Sequence, residues 1–122
     1  MPSILIVDDC DDVRNIVGTF LQRDAIFKVC GEAGSGPEAI KKAEELKPDL
    51  ILLDLRMPWM NGIETAMALK RVLPKTKLVL FSAYTESLGT SWATAVGVDL
   101  VLAKGSLLDM AHSLKTFTAK SL

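Results

Sequence analysis

Leu50-Ile51-Leu52-Leu53-Asp54 is a run of four large apolar residues that ends on a carboxylate, and its reading decides the fold. Its apolar residues do not alternate with polar ones, so a strand at this place is covered on both faces rather than half exposed. Ile4-Leu5-Ile6-Val7 has the same character and also runs into acid, at Asp8 and Asp9. Residues 27–31, 78–81 and 100–102 complete a set of five short apolar runs rich in Ile, Leu and Val. Segments of helical periodicity separate them, and that alternation calls for a parallel sheet with helices on both faces. The expected fold class is α/β: a single doubly wound (βα)5 domain over residues 1–122.

The helical segments differ in quality. Val13, Ile16, Val17, Phe20 and Leu21 follow the i, i+3, i+4, i+7, i+8 spacing of an amphipathic helix and are expected to face inward. Ala39, Ile40, Ala43 and Leu46 mark a second helix, opened by Pro37 after Ser35-Gly36 and ended by Pro48. Asn61 is a candidate cap for a third, with Glu64 three residues on and Ile63, Ala66, Met67 and Leu73 facing inward. The fourth segment, residues 86–96, is weak on paper because Ser87, Gly89, Thr90, Ser91 and Thr94 are mediocre or poor helix formers. Ser106 and Asp109 open a fifth, which carries Leu107, Met110, Ala111, Leu114 and Phe117.

Composition narrows the function classes. The chain has 122 residues, 49% apolar and 24% charged, with a net charge of −1. It holds no basic run able to neutralise a row of phosphates, which argues against direct nucleic-acid binding by this domain. No stretch approaches the roughly 20 apolar residues that span a bilayer, and Met1-Pro2-Ser3 leads straight into a strand-like run. A cytoplasmic protein without membrane contact is expected. Cys10 and Cys30 lack CxxC spacing and read as reduced, partly buried thiols with packing roles. His112, the single histidine, reads as structural.

In an open α/β sheet, ligands bind beyond the carboxyl ends of the strands, so the residues that follow each run carry the chemistry. These are Asp8 and Asp9 after the first run, Asp54 after the third, Ser82 after the fourth and Lys104 after the fifth. Right-handed crossovers place the first and third strands side by side, which brings three carboxylates together. Like charges at that distance raise at least one carboxyl pKa unless a cation intervenes. The donors are all hard oxygens, and a small carboxylate site suits Mg²⁺ best. With the ion offsetting phosphate charge, Asp54 is a candidate nucleophile on phosphorus. Lys104 pairs with a phosphoryl oxygen and Ser82 donates its hydroxyl to another, with Ala83 leaving space beside it.

These residues carry a resemblance. Ile4-Leu-Ile-Val-Asp8-Asp9, Pro48-Asp49-Leu-Ile-Leu-Leu-Asp54-Leu-Arg-Met-Pro58 with Met60-Asn61-Gly62, Ser82-Ala83, and Lys104 after Gly97 together resemble the receiver domain of two-component response regulators, the CheY-like superfamily. The resemblance implies a flavodoxin-like five-stranded sheet in the order 2-1-3-4-5. It implies phosphotransfer to Asp54 from a phosphohistidine on a sensor histidine kinase or phosphotransfer protein. It also implies Mg²⁺ held by Asp9, Asp54 and the backbone carbonyl of Arg56, with Asp8 helping through water. Such a domain is a phosphoacceptor that catalyses its own phosphotransfer and slow dephosphorylation rather than an enzyme with an external substrate. Its output passes to a downstream protein or output domain through the fourth helix, fifth strand and fifth helix, a surface also compatible with a homodimer.

Two positions depart from the common family pattern: Val101 stands where an aromatic residue is usual, and Gly105 where proline is usual. Two rival readings differ in class. A Mg²⁺-dependent phosphohydrolase would also use Asp54 as nucleophile, but such enzymes commonly carry an acid where this chain has Arg56. A phosphorylation-independent interaction module would keep the fold and bind Mg²⁺ without taking up a phosphoryl group. For the receiver reading, the weak segment 86–96 predicts a surface that Ser82 reshapes when a phosphoryl group binds.

Overall fold

A computed structural model of the chain describes residues 1–23, 27–54, 62–82, 95–103 and 106–121, with residues 82 and 103 described by their backbone alone. Five strands, β1 (Ser3–Val7), β2 (Lys28–Ala33), β3 (Leu50–Asp54), β4 (Lys77–Ser82) and β5 (Leu100–Ala103), form one parallel sheet in the order β2-β1-β3-β4-β5. Four helices accompany them among the described residues: α1 (Asp11–Arg23), α2 (Gly36–Leu46), α3 (Gly62–Val72) and α4 (Leu107–Ser121). The architecture is flavodoxin-like α/β.

The unbroken apolar runs are explained by two cores, one on each face of the sheet. Successive side chains of a strand point to opposite faces. Leu5, Val7, Ile51, Leu53, Leu78 and Leu80 pack on one face with Ala39 and Ala43 of α2 and Ala66 and Leu69 of α3. Ile4, Ile6, Leu50, Leu52, Val79 and Phe81 pack on the other with Val17 and Leu21 of α1 and Met110, Ala111 and Leu114 of α4. Every apolar residue of β1 and β3 is buried. A strand of this kind reads as solid apolar sequence because neither of its faces meets water.

The helix ends follow their local chemistry. Ser35 caps α2, its Oγ accepting from Glu38 N at 3.3 Å, and Pro37 occupies the first turn, where its missing N–H costs nothing. The helix stops at Lys47, in the left-handed conformation at φ 46°, one residue before Pro48. Ser106 Oγ accepts from Leu108 N and Asp109 N at the start of α4. Gly97, at φ 93°, is needed where the chain turns into β5, because a Cβ there would sit 2.8 Å from Lys70 Cγ.

Several expectations are corrected. Strand β2 begins after Phe27 and continues through Glu32 to Ala33. The apolar run ends at Gly31, but Ala33 is fully buried in the core and pairs with Val7, which carries the ladder past the polar Glu32. Ile16 and Met67, read as inward, are 55% and 46% exposed. Each lies one residue, about 100° of helix rotation, beyond the edge of a narrow buried stripe. In α3 that stripe is Gly62, Thr65, Ala66 and Leu69. Leu46 is also exposed, at the end of α2. Cys10 is exposed rather than partly buried, since it stands on the loop beyond β1, whereas Cys30 is half-buried. The Asn61 cap lies outside the described residues, as does the weak helical segment apart from its last two residues, of which Ala95 is helical.

Candidate functional site

Strand register brings the first two carboxylates together. Val7 pairs with Leu53, so Asp8 and Asp54 occupy the next rung of adjacent strands. Both have the parity of Ile4, Ile6, Leu50 and Leu52, which places them toward the face covered by α1 and α4. Asp9 follows in the short link between β1 and α1. Carboxylate oxygens of Asp8, Asp9 and Asp54 all lie within 4.8 Å of one another. Asp8 and Asp54 are 1% and 5% exposed, while Asp9 faces solvent.

This geometry has an electrostatic consequence. Three carboxylates this close repel one another, the more so where two are removed from water. A hard divalent cation offsets that repulsion, and an all-oxygen donor set with one open, solvent-facing side fits Mg²⁺. The residues present therefore suit the ion that the family resemblance implies.

The surrounding loop is tightly held. Asp8 N donates to Ala33 O at 3.0 Å, extending the β1–β2 ladder by one bond. Cys10 N donates to Asp8 Oδ1 at 3.0 Å, closing a local turn around the Asp9 residue. Arg14, from the first turns of α1, donates Nη1–H to the Asp8 carbonyl and Nη2–H to Asp11 Oδ1. Its Nε lies 3.4 Å from Glu32 Oε1, an ion-pair contact rather than an aligned hydrogen bond. The Arg14 side chain is only 15% exposed.

Sequence reasoning overlooked Arg14. It falls at a helix position where an arginine reads as ordinary surface, and only the fold brings Glu32 of β2 beside it. A signal was present in retrospect, since Arg14 follows Asp11 by three residues on the helix and Gly34 provides the space its guanidinium fills.

The other residues read from sequence are placed less fully. Asp54 pairs with Phe81 and Ser82 with Ala103, so the backbone of Ser82 stands at the carboxyl end of β4, one rung beyond Asp54. The Ser82 side chain, Lys104, Arg56 with its backbone carbonyl, Ala83 and Gly105 lie outside the described residues. Val101 is half-buried in β5, packed against the core on the face of α2 and α3. His112 is exposed on α4, where nothing gathers metal-ligating side chains around it among the described residues.

Comparison with known proteins agrees with this layout. The family model for the response regulator receiver domain matches residues 4–113. The response regulator protein VraR of Staphylococcus saprophyticus is 40% identical over 122 residues, covering 98% of this chain and 58% of that protein. The chain thus spans little more than half the length of such relatives. Among solved structures, the response regulator domain of Thermotoga maritima CheB superposes with a TM-score of 0.89 at 29% identity, covering 99% of this chain and 96% of that one. Vibrio cholerae chemotaxis protein CheY4 superposes with a TM-score of 0.85, also at 29% identity, covering 95% and 98%.

Proposed function

Because the chain belongs to the response regulator receiver domain family, we propose that it is the phosphoacceptor module of a two-component system and takes a phosphoryl group onto Asp54 beside a Mg²⁺ ion. The observation that carries this reading is the convergence of Asp8, Asp9 and Asp54 within 4.8 Å at the carboxyl edge of the sheet. Asp9, Asp54 and the backbone carbonyl of Arg56 would hold the ion, with Asp8 behind them. Bound Mg²⁺ supplies positive charge that lets an anionic phosphoryl group approach a carboxylate.

The chain's own groups do the rest. An ionised Asp54 oxygen attacks phosphorus, forming an O–P bond as the P–N bond of a phosphohistidine breaks. The bonding pair leaves with the imidazole nitrogen, which takes up a proton. No general base is needed, because the carboxylate is already ionised. Lys104 pairs with one phosphoryl oxygen and the Ser82 hydroxyl donates to another, roles assigned from sequence. Later attack of water on phosphorus releases inorganic phosphate and restores Asp54, so the domain is a self-dephosphorylating switch and not a turnover enzyme.

The partners of such a module are a sensor histidine kinase or phosphotransfer protein on the input side and a downstream protein or output domain on the other. The family resemblance assigns output to the fourth helix, fifth strand and fifth helix, of which β5 and the last helix, α4, lie among the described residues, and pairing with a second copy is a further use of that surface. A cytoplasmic location fits these partners. Among the described residues no helix is long and apolar enough to cross a membrane.

The test is intact-mass measurement after incubation with a small-molecule phosphodonor, with and without Mg²⁺. Wild type gains one phosphoryl mass only with Mg²⁺, and Asp54→Ala gains none. Persistent uptake by Asp54→Ala, or a folded wild type that binds Mg²⁺ yet gains no mass, overturns the assignment.

A further inference from the structure

The residue that carries the Asp9 carboxylate is weakly anchored by secondary structure. Asp9 lies between the last strand residue, Val7, and the first helical residue, Asp11, and its side chain faces solvent. Its direction depends on the peptide plane joining Asp8 to Asp9. The carbonyl of that plane, Asp8 O, accepts from Arg14 Nη1, while the peptide before it is held through Asp8 N by Ala33 O and the residue after it through Cys10 N by Asp8 Oδ1. Arg14 is in turn wedged between Asp11, Glu32 and the backbone of Gly34, where an added Cβ would lie 3.1 Å from Nη1. The backbone nitrogen of Arg14 also donates to Cys10 O at 3.1 Å, so one residue grips the link from both its ends.

Resting on the reading of the acidic cluster as a cation site, we propose that Arg14 is a positioning residue for that site. It acts through the Asp8 carbonyl and never touches the ion. By locking the Asp8–Asp9 peptide it presents both carboxylates toward Asp54 in one arrangement. A flexible link loses that arrangement, and cation binding then has to order it.

The proposal has a sign that a charge effect does not share. A guanidinium near the cluster repels a cation, so if charge alone mattered, neutralising Arg14 would tighten metal binding. If positioning dominates, neutralising it weakens binding. Partners that orient metal ligands typically contribute 10- to 100-fold in affinity, about tenfold being expected for a partner that acts through backbone.

The experiment is Mn²⁺ binding by the folded chain, followed by equilibrium dialysis at fixed ionic strength, with thermal unfolding recorded in parallel. Arg14→Gln should bind Mn²⁺ about tenfold more weakly than wild type. Arg14→Lys can reach the Asp8 carbonyl but cannot serve Asp11 and Glu32 together, and it should recover part of the loss. Equal or tighter binding by a folded Arg14→Gln, whatever its Tm, overturns the proposal. Should Arg14→Gln not fold, Arg14→Lys decides: binding equal to wild type overturns it, and a few-fold loss supports it. A wild type that binds no Mn²⁺ removes the cation site itself, and with it this role. Wild-type binding matched by Arg14→Gln removes only this role.

Discussion

The two edges of the sheet are built on opposite electrostatic plans. At the amino edge, polar groups meet as complementary pairs. Ser3 N donates to Asp49 Oδ2 at 2.9 Å while Asp49 N donates to Ser3 Oγ at 3.0 Å. Lys70 Nζ sits 2.8 Å from Asp99 Oδ2, which also accepts from Leu78 N, and donates to Thr76 O at 2.7 Å. Thr76 Oγ1 donates to Pro48 O at 2.9 Å, tying the approach to β4 to the approach to β3. At the carboxyl edge, three carboxylates are gathered within 4.8 Å of one another, two of them buried, with Arg14 bound to the Asp8 carbonyl beside them. The difference separates two kinds of polar residue: those at the amino edge tie strands and helices together, and those at the carboxyl edge form the acidic cluster on which the proposed function rests.

The largest effect that distinguishes the edges is the response to divalent cation. A ligand that binds only the native state adds RT ln(1 + [L]/Kd), about 2.7 kcal/mol at a hundredfold excess over Kd. Wild type should gain that increment from Mg²⁺, seen as a rise of several degrees in Tm. Asp9→Asn and Asp54→Asn should each lose most of it, whereas Lys70→Met should keep it. An unchanged increment in Asp9→Asn would place the ion elsewhere and break the comparison.

The next effect runs the other way. Lys70 and Asp99 are 19% and 26% exposed, so their pairing is partly shielded from solvent. Lys70→Met removes the ammonium from Asp99 and from the Thr76 carbonyl, and should cost roughly 1–3 kcal/mol in urea unfolding. Phosphoryl uptake by the surviving folded protein should match wild type. If uptake falls with stability, the two edges are coupled rather than separate.

Smaller still is the reciprocal pair at the start of β1 and β3. Asp49→Ala should cost about 1 kcal/mol, because the bonds it makes are exposed to water. Ser3→Ala added to that variant removes a separate bond, from the backbone N–H of residue 49 to Ser3 Oγ, so the two losses should largely add, and a double-mutant cycle isolates the 3.2 Å bond from Ser3 Oγ to Asp49 Oδ2 that the side chains share. Full additivity would show that the two side chains act independently.

The carboxyl edge was largely legible in sequence, and the amino edge was not. Asp8 and Asp54 could be read because unbroken apolar runs identify central strands, and the residue after each run stands at the ligand-binding edge. Strand register then does what sequence pattern implies, Val7 opposite Leu53. The Ser3–Asp49 and Lys70–Asp99 pairs join residues 46 and 29 positions apart that carry no local signature. Arg14 escaped for the same reason, since its partner Glu32 comes from another strand. Ile16 and Met67 were misjudged because periodicity marks an apolar stripe without its width. How wide a stripe is buried depends on the neighbouring sheet and helix.

The cysteines sharpen the comparison by reporting on separate parts of the sheet, with the smallest effect of the four. Cys10 is exposed on the loop of the acidic site. Cys30 is half-buried at the bulge where the β1–β2 register shifts, its Sγ 3.4 Å from Ile4 O. Burial pushes the Cys30 thiol above its ordinary pKa. Alkylation proceeds through the thiolate, so iodoacetamide at mildly alkaline pH should label Cys10 first and Cys30 only as the chain opens. The sign for stability follows from the same shift. The folded protein holds the Cys30 proton more tightly than the unfolded chain, so that contribution is intact below the unfolded thiol pKa and is lost as pH rises through the folded value. A slight alkaline decline in stability should therefore be present in wild type and absent in Cys30→Ala, measured by urea unfolding across that range. Native-state labelling of Cys30 as fast as that of Cys10 would mean that the bulge opens as readily as the loop, and β1, which leads to Asp8, would then lack a rigid neighbour in the edge strand β2.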